Sequence, residues 1–247
     1  FEIFAFSFGP DDKSEIRNRV IKSFDKFIDV RLKTTSEIVN MSRELNIDIA
    51  LDLKGYTSNN RFELFTKRCA PIQISYLGFP GTSGSSCIDY LIADKVLIPD
   101  EYKIYYSENI IYLPNTYQVN DFTLKISDKK FSKNDFGLPE DSFVFCCFNH
   151  NYKILPDIFE IWIRILKRVE NSVLWLLIEN DIARNKLKEI LTSRGIDNKR
   201  VIFAGRLPHS EHLARLKFAD LFLDTFPCNA HTTASDALRA NLPIITL

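Results

Sequence analysis

Leu221-Phe222-Leu223-Asp224-Thr225-Phe226, followed after Pro227 by Cys228-Asn229-Ala230-His231-Thr232-Thr233-Ala234-Ser235-Asp236, carries the most information about this chain. The first run is apolar and reads as a buried strand. The second opens a helix over 233–240, so small hydroxyl residues fall at a strand-to-helix junction. At such a junction free backbone N–H groups and the positive end of the helix dipole favour an anion, typically a phosphate. The same residues also read as a Thr233/Asp236 capping box, a helix-start signal that needs no ligand.

Working outward, the C-terminal half alternates between two periodicities. Strand-like runs at 143–148, 173–178, 201–204, 221–226 and 244–247 are separated by helical patterns at 156–169, 182–194, 210–218 and 233–240. In the first helix Phe159, Trp162, Leu166 and Val169 fall on one face, and Gly195 ends the second. Short strands alternating with helices of about three turns predict βαβ units on a parallel sheet. The N-terminal half is less regular. Thr34 and Glu37 form a capping-box pattern before a helix through Leu45, strand-like runs lie at 1–8, 47–53, 72–77, 90–93 and 110–113, and a helix is expected over 60–68. Polar, loop-like sequence between Pro114 and Pro139 marks a boundary. The expected organisation is an α/β fold of two facing Rossmann-like domains, 1–125 and 126–247, with ligands in the cleft outside the carboxyl ends of the strands. Both ends of the chain fall inside strand-like runs, which reads as a fragment with any leader or upstream domain out of view.

Composition narrows the function. Lys plus Arg and Asp plus Glu both number 32, so no net field favours nucleic acid or an anionic membrane. No apolar run approaches the roughly 20 residues of a membrane span. The five cysteines are odd in number and lack zinc-like spacing, and Cys146-Cys147 sits in an apolar run, which fits a reducing compartment, the cytoplasm. Neither G-x-G-x-x-G nor G-x-x-x-x-G-K-[ST] is present, which argues against a nicotinamide dehydrogenase and a P-loop NTPase. No G-x-S-x-G elbow occurs, and four dispersed histidines suggest no metal site.

What remains are polar residues at strand ends. Phe148-Asn149-His150-Asn151-Tyr152-Lys153 follows the strand at 143, where Lys153 is either a cation for a diphosphate or solvated surface charge. His212 and Arg215 lie one helical turn apart after the strand at 201, a pair able to stack on and bond a nucleobase or to form an ordinary helix surface. With the His231 segment, three successive strand ends offer a cation, a stacking group and a phosphate cradle, a layout suited to a nucleotide diphosphate. In the N-terminal half, Asp52 to Thr57 and the Gly/Pro-rich Leu77 to Gly84 are loops where a ligand can approach the backbone, or plain turns.

These segments, in this order, resemble the catalytic region of the protein O-GlcNAc transferases, the glycosyltransferase family 41 that also contains the SPINDLY proteins. The resemblance rests on Gly55-Tyr56-Thr57, Ala70-Pro71-Ile72-Gln73, Leu77-Gly78-Phe79-Pro80-Gly81-Thr82-Ser83-Gly84, Phe148-Asn149 with Tyr152-Lys153-Ile154, residues 165–169 with 171–176, and Asn229 to Thr233 with Asp236. It covers nearly the whole chain.

The family implies a GT-B fold and a metal-independent, inverting transfer of N-acetylglucosamine from UDP-GlcNAc to Ser or Thr hydroxyls of proteins. It implies no cofactor beyond that donor, a protein or peptide acceptor, and TPR repeats upstream in the same protein. By the resemblance Lys153 stabilises the departing UDP, and His231, Thr232 and Thr233 bind the phosphates. His212 stacks on uracil with Arg215 beside it, Asp236 bonds the ribose, and His150 and His209 stand at nucleotide-side positions where the animal enzyme has Gln and Lys. Leu77, Gly78, Tyr152, Thr57 and Asp48 are assigned to the sugar site, Asp48 standing where the animal enzyme has His. The absence of the animal inserted domain suits a bacterial member, and the family's other active-site His would lie upstream of Phe1. Two alternatives stay open: a relative using GDP-fucose or UDP-glucose, and a degenerate, non-catalytic nucleotide binder.

Overall fold

Every strand pair in the structure, a computed structural model describing residues 1–247, is parallel. The chain divides into two units, Phe1–Val119 and Asn120–Leu247, six residues before the boundary read from the sequence. No helix is long and apolar enough to cross a membrane.

The first unit contains β1 (Phe4–Ser7), α1 (Glu15–Ile21), β2 (Lys26–Asp29), α2 (Thr35–Glu44), β3 (Ile49–Asp52), α3 (Glu63–Thr66), β4 (Ile72–Ser75), β5 (Tyr90–Ala93) and β6 (Asn109–Tyr112). β1 pairs with β2, and the other four strands form a sheet in the order β3-β4-β5-β6. The expected capping box starts α2: Glu37 N–H donates to Thr34 Oγ1 (3.3 Å) and Thr34 N–H to the Glu37 carboxylate (2.7 Å). Helix α3 is shorter than the sequence pattern predicts. Asn60 Oδ1 accepts from Phe62 N–H, and the next bonds, Leu64 to Arg61 and Phe65 to Phe62, span three residues, so 60–62 form a turn and not an α-helix. Strand order runs in one direction, so right-handed crossovers place the connections on one face. There Ile38, Val39, Leu64 and Phe65 build the core with Val30, while Ile49, Leu51, Ile72 and Ile111 remain exposed on the other.

Two loops at the carboxyl edge of this sheet interlock. Gly55 has φ +52°, and a Cβ there would overlap Phe79; a Cβ on Gly78 would overlap the Leu53 carbonyl. The Asp52 carboxylate, buried at the end of β3, accepts from the N–H groups of Lys54 (2.9 Å) and Gly55 (3.0 Å). Buried Glu108 plays the same part for the second loop, accepting from Thr82 Oγ1 (2.7 Å), Ser83 N–H (2.6 Å) and Ser83 Oγ. Tyr56 Oη donates to the Ser83 carbonyl (2.7 Å) and ties the two loops together.

The second unit contains β7 (Phe143–Cys147), α4 (Pro156–Arg168), β8 (Ser172–Leu177), α5 (Asp181–Ser193), β9 (Val201–Ala204), α6 (His209–Arg215), β10 (Leu221–Leu223), α7 (Thr232–Arg239) and β11 (Ile244–Ile245). Its sheet order is β11-β10-β7-β8-β9. β7 and β8 are apolar along their length because both faces are covered, the pattern of a central parallel strand. Pro156 opens α4, and Ile158, Phe159, Trp162, Ile163 and Leu166 are its buried stripe; Val169, expected on that face, lies past the helix end and is partly exposed. From β7 the chain winds outward to β8 and β9, then returns to the other side of β7 for β10 and β11. The order therefore reverses between β7 and β10, a topological switch point, where open α/β sheets place ligands.

The interlocked loops give a direct test. Gly55→Ala must relieve an overlap and hold a left-handed backbone, and we expect it to lower the unfolding free energy by about 2–4 kcal/mol. Gly84, with φ +62° and nothing within 4 Å of its would-be Cβ, meets only the backbone penalty; Gly84→Ala should cost about 1 kcal/mol. Urea titrations showing equal losses for the two variants would refute the interlock.

Candidate nucleotide-diphosphate site

Strand β10 stops at Leu223, three residues earlier than its apolar run predicts, because Asp224 turns the backbone into a polar cluster. One carboxylate oxygen accepts from the N–H groups of Thr225 and Ala230 (both 2.8 Å) and from Asn149 Nδ2 (3.0 Å). The other accepts from Asn229 Nδ2 (3.2 Å) and Thr246 Oγ1 (2.8 Å). Asn149 is 2% exposed at the end of neighbouring β7; its Nδ2 also donates to Thr225 Oγ1 (2.8 Å), and its carbonyl accepts from Thr233 Oγ1. Asn149, Asp224, Thr225 and Asn229 were not among the expected site residues. The signal for them is a polar residue directly after, or interrupting, a run of strand residues.

The loop so held leads into α7. Its N-cap is His231, whose side chain makes no capping bond. Thr233 and Asp236 form no capping box: Thr233 bonds Asn149, and the Asp236 carboxylate lies 3.1 Å from His209 Nε2. Both side chains are thus engaged with other parts of the unit and not with each other. Thr232 is exposed at the first turn of α7, where unspent N–H groups favour an anion.

Lys153 comes from the loop after β7 and turns inward. It is half-buried, and its Nζ donates to the Asn229 carbonyl at 2.8 Å. A solvated surface lysine would not hold that position. Its charge is felt at His231, which is held below the ordinary histidine range by burial first and then by Lys153, with Asp224 acting in the opposite direction. His150 and Tyr152, on the same loop, are exposed, with ring centroids 4.5 Å apart.

His212 and Arg215 share a face of α6, as expected, but the guanidinium is not at the surface. Arg215 is 1% exposed, donates to the Gly205 carbonyl (2.6 Å), and lies over the Phe148 ring (4.9 Å) and near that of Trp175 (5.7 Å). Its Nε and Nη2 point at His212 Nδ1 (3.1 and 2.8 Å). Arg215 was expected to bond a nucleobase; at 1% exposure, with three of its five N–H donors engaged, it is instead buried against the imidazole it holds. Accepting from a guanidinium forces Nδ1 to be unprotonated, so His212 carries its proton on Nε2. Burial, then Arg215 and His209, lower its pKa to about 4, which keeps the ring neutral at physiological pH. His209 stacks alongside, its centroid 6.5 Å from that of His212 at an interplanar angle of 27°.

In the first unit Leu77, Gly78 and Thr57 follow β4 and β3 and lie at the carboxyl edge of their sheet. Thr57 Oγ1 donates to the Lys54 carbonyl (2.9 Å), and Leu77 adopts φ +69°. Asp48 does not join them. It precedes β3, its carbonyl accepting from Ile72 N–H at the amino edge, and the four-residue strand puts about 13 Å of backbone between the two edges. Its assignment to the sugar site is withdrawn.

The profile of glycosyl transferase family 41 matches residues 1–131 and 123–247. The probable UDP-N-acetylglucosamine–peptide N-acetylglucosaminyltransferase SEC of Arabidopsis thaliana is 40% identical, over 100% of this chain and 26% of SEC. The probable UDP-N-acetylglucosamine–peptide N-acetylglucosaminyltransferase SPINDLY of Petunia hybrida is 29% identical over 95% of this chain and 25% of its own length. Among solved structures, a mutant of the Thermobaculum terrenum O-GlcNAc transferase superposes with a TM-score of 0.88 at 27% identity, covering 99% of this chain and 46% of that one. The chain thus spans about a quarter of the length of these two plant relatives, and its α/β fold is of the GT-B type. With its whole length matched by the family profile, the chain belongs to glycosyl transferase family 41.

Proposed function

We propose that the protein transfers N-acetylglucosamine from UDP-GlcNAc to Ser or Thr hydroxyls of proteins, with inversion at the sugar carbon. The observation that carries this reading is the placement of Lys153 and the start of α7 on either side of the switch point between β7 and β10, with Lys153 Nζ turned inward onto the Asn229 carbonyl. Names given to relatives, among them the 40% identical SEC and the Caenorhabditis elegans enzyme at 23% identity, supply the donor and the peptide acceptor.

In this reading uracil stacks on neutral His212, and Asp236, beside His209, takes the ribose. The diphosphate lies against His231, Thr232, Thr233 and the first N–H groups of α7, with Lys153 at the departing oxygen. As the acceptor hydroxyl oxygen bonds to the sugar carbon and gives up its proton to solvent, the bond from the sugar to the UDP oxygen breaks and negative charge grows on the diphosphate. A fixed cation and oriented N–H groups in a partly desolvated site stabilise that charge and need no metal ion; one such donor contributes about 3 kcal/mol to the transition state. Leu77, Gly78 and Thr57 are assigned to the sugar. The reading includes TPR repeats elsewhere in the protein and a cytoplasmic location, supported by five unpaired cysteines of which Cys146 and Cys147 are fully buried.

Lys153→Ala should lower kcat by about two to three orders of magnitude, with melting temperature nearly unchanged, since a loop lysine has few core contacts. Wild-type turnover in that variant would remove Lys153 from the mechanism. His212→Ala should instead weaken UDP and donor binding by about tenfold or more and leave kcat within a few-fold, because stacking on uracil is alike in ground and transition states. Thermal-shift titration fixes the donor: stabilisation by GDP-fucose and not by UDP-GlcNAc would overturn the choice of sugar nucleotide, and UDP binding without glycosylated product would reduce the protein to a nucleotide binder.

A further inference from the structure

The expected phosphate contacts are all cationic, hydroxyl or N–H groups, yet an anion stands at the centre of the loop that presents them. Asp224 accepts five hydrogen bonds, from Asn149, Thr225, Ala230, Asn229 and Thr246, and so ties together the ends of β7 and β10, the loop 225–230 and the segment after β11. Every neighbour of its carboxylate is a donor, an arrangement that suits an ionised acid and no other side chain of its size. Two of the five bonds bear directly on the site. Asn229 is gripped through its side chain by Asp224, the Thr225 carbonyl (3.0 Å) and Thr246 Oγ1 (3.0 Å), and the carbonyl of the same residue receives Lys153 Nζ. Ala230 N–H is turned inward to the carboxylate, which sets the direction of the chain one residue before His231.

We propose that Asp224 is a positioning residue for the transfer: its carboxylate fixes loop 225–230 so that the Asn229 carbonyl aims Lys153 and the start of α7 faces the diphosphate. The proposal rests on the reading of Lys153 as the leaving-group cation. It gives an acid that never touches the donor control over the cation that does. It also explains why the strand ends at Leu223 and does not run on to Phe226.

Asp224→Asn is isosteric. It retains one oxygen for Thr225, Ala230 and Asn149 and turns an amide N–H₂ toward Asn229, so the grip on Asn229 is what it loses. In the full-length protein we expect kcat to fall about thirtyfold or more with the melting temperature within a few degrees of wild type. The decisive measurement is a double-mutant cycle with Lys153→Ala. If Asp224 works by aiming Lys153, Asp224→Asn lowers kcat by less than about threefold once the lysine is gone; multiplicative losses would show a purely structural role and overturn the proposal. A second readout needs no nucleotide. Amide hydrogen exchange of the ligand-free protein should accelerate over 224–233 in Asp224→Asn and stay unchanged in β8. Unchanged exchange over 224–233, or acceleration spread through the whole unit, would each refute it. Failure of the wild-type protein to bind UDP would instead strike the transferase reading, while the exchange data still decide whether Asp224 holds the loop.

Discussion

A carboxylate at the end of a strand, with only donors around it, is the constraint on which the second unit's site depends. Parallel strands deliver unpaired N–H and C=O groups to the edge of the sheet, and each must find a partner before the chain can turn into a helix. At β10 Asp224 supplies that partner for Thr225 and Ala230 at once, and Asn149 from β7 closes the gap between the two strands. Because β7 and β10 are neighbours at which strand order reverses, the connections after them diverge to opposite sides and leave a crevice. The polar cluster is what keeps the walls of that crevice at a fixed separation.

Arg215 illustrates the same economy with the opposite sign. Burying a guanidinium is costly unless its donors are satisfied. Here the Gly205 carbonyl and His212 Nδ1 take three of the five, the faces of Phe148 and Trp175 lie within cation–π range, and burial still draws its pKa down to about 10. What this arrangement yields is a histidine with one possible tautomer and no charge. The pair is thus a single unit in which the guanidinium is buried and the partly buried imidazole is the outer member.

Much of this was legible in the sequence, and the failures have physical causes. The second unit could be read element by element because its central strands are buried on both faces and α4 carries an apolar stripe. The first unit was harder. Helix α1 buries no residue, so it shows no apolar stripe, and β1 and β2 form a separate pair of four residues each. Asp48 falls inside the strand-like run at 47–53, and only the structure, in which β3 begins at Ile49, puts it at the amino edge, away from the loops at the carboxyl ends. Arg215 was legible as the partner of His212 but not as a buried one, because helical spacing gives a shared face and says nothing of depth. Asn149 and Asp224 carry no ligand-like signal in the sequence, because their bonds go to the backbone and side chains of the loop.

The two units use different physics to preset their loops. In the first, Gly55 against Phe79 and Gly78 against the Leu53 carbonyl leave no room for a side chain, so shape fixes the loops, and Asp52 and Glu108 only pin their N–H groups. In the second, no glycine occurs between β10 and α7, and a polar hub does the same work with ordinary residues. Steric interlock is insensitive to charge, whereas a hub of charge-assisted bonds is strong only while its acid stays ionised and its donors stay aligned. The arrangement near Lys153 and His231 therefore responds to electrostatics in a way the glycine loops do not.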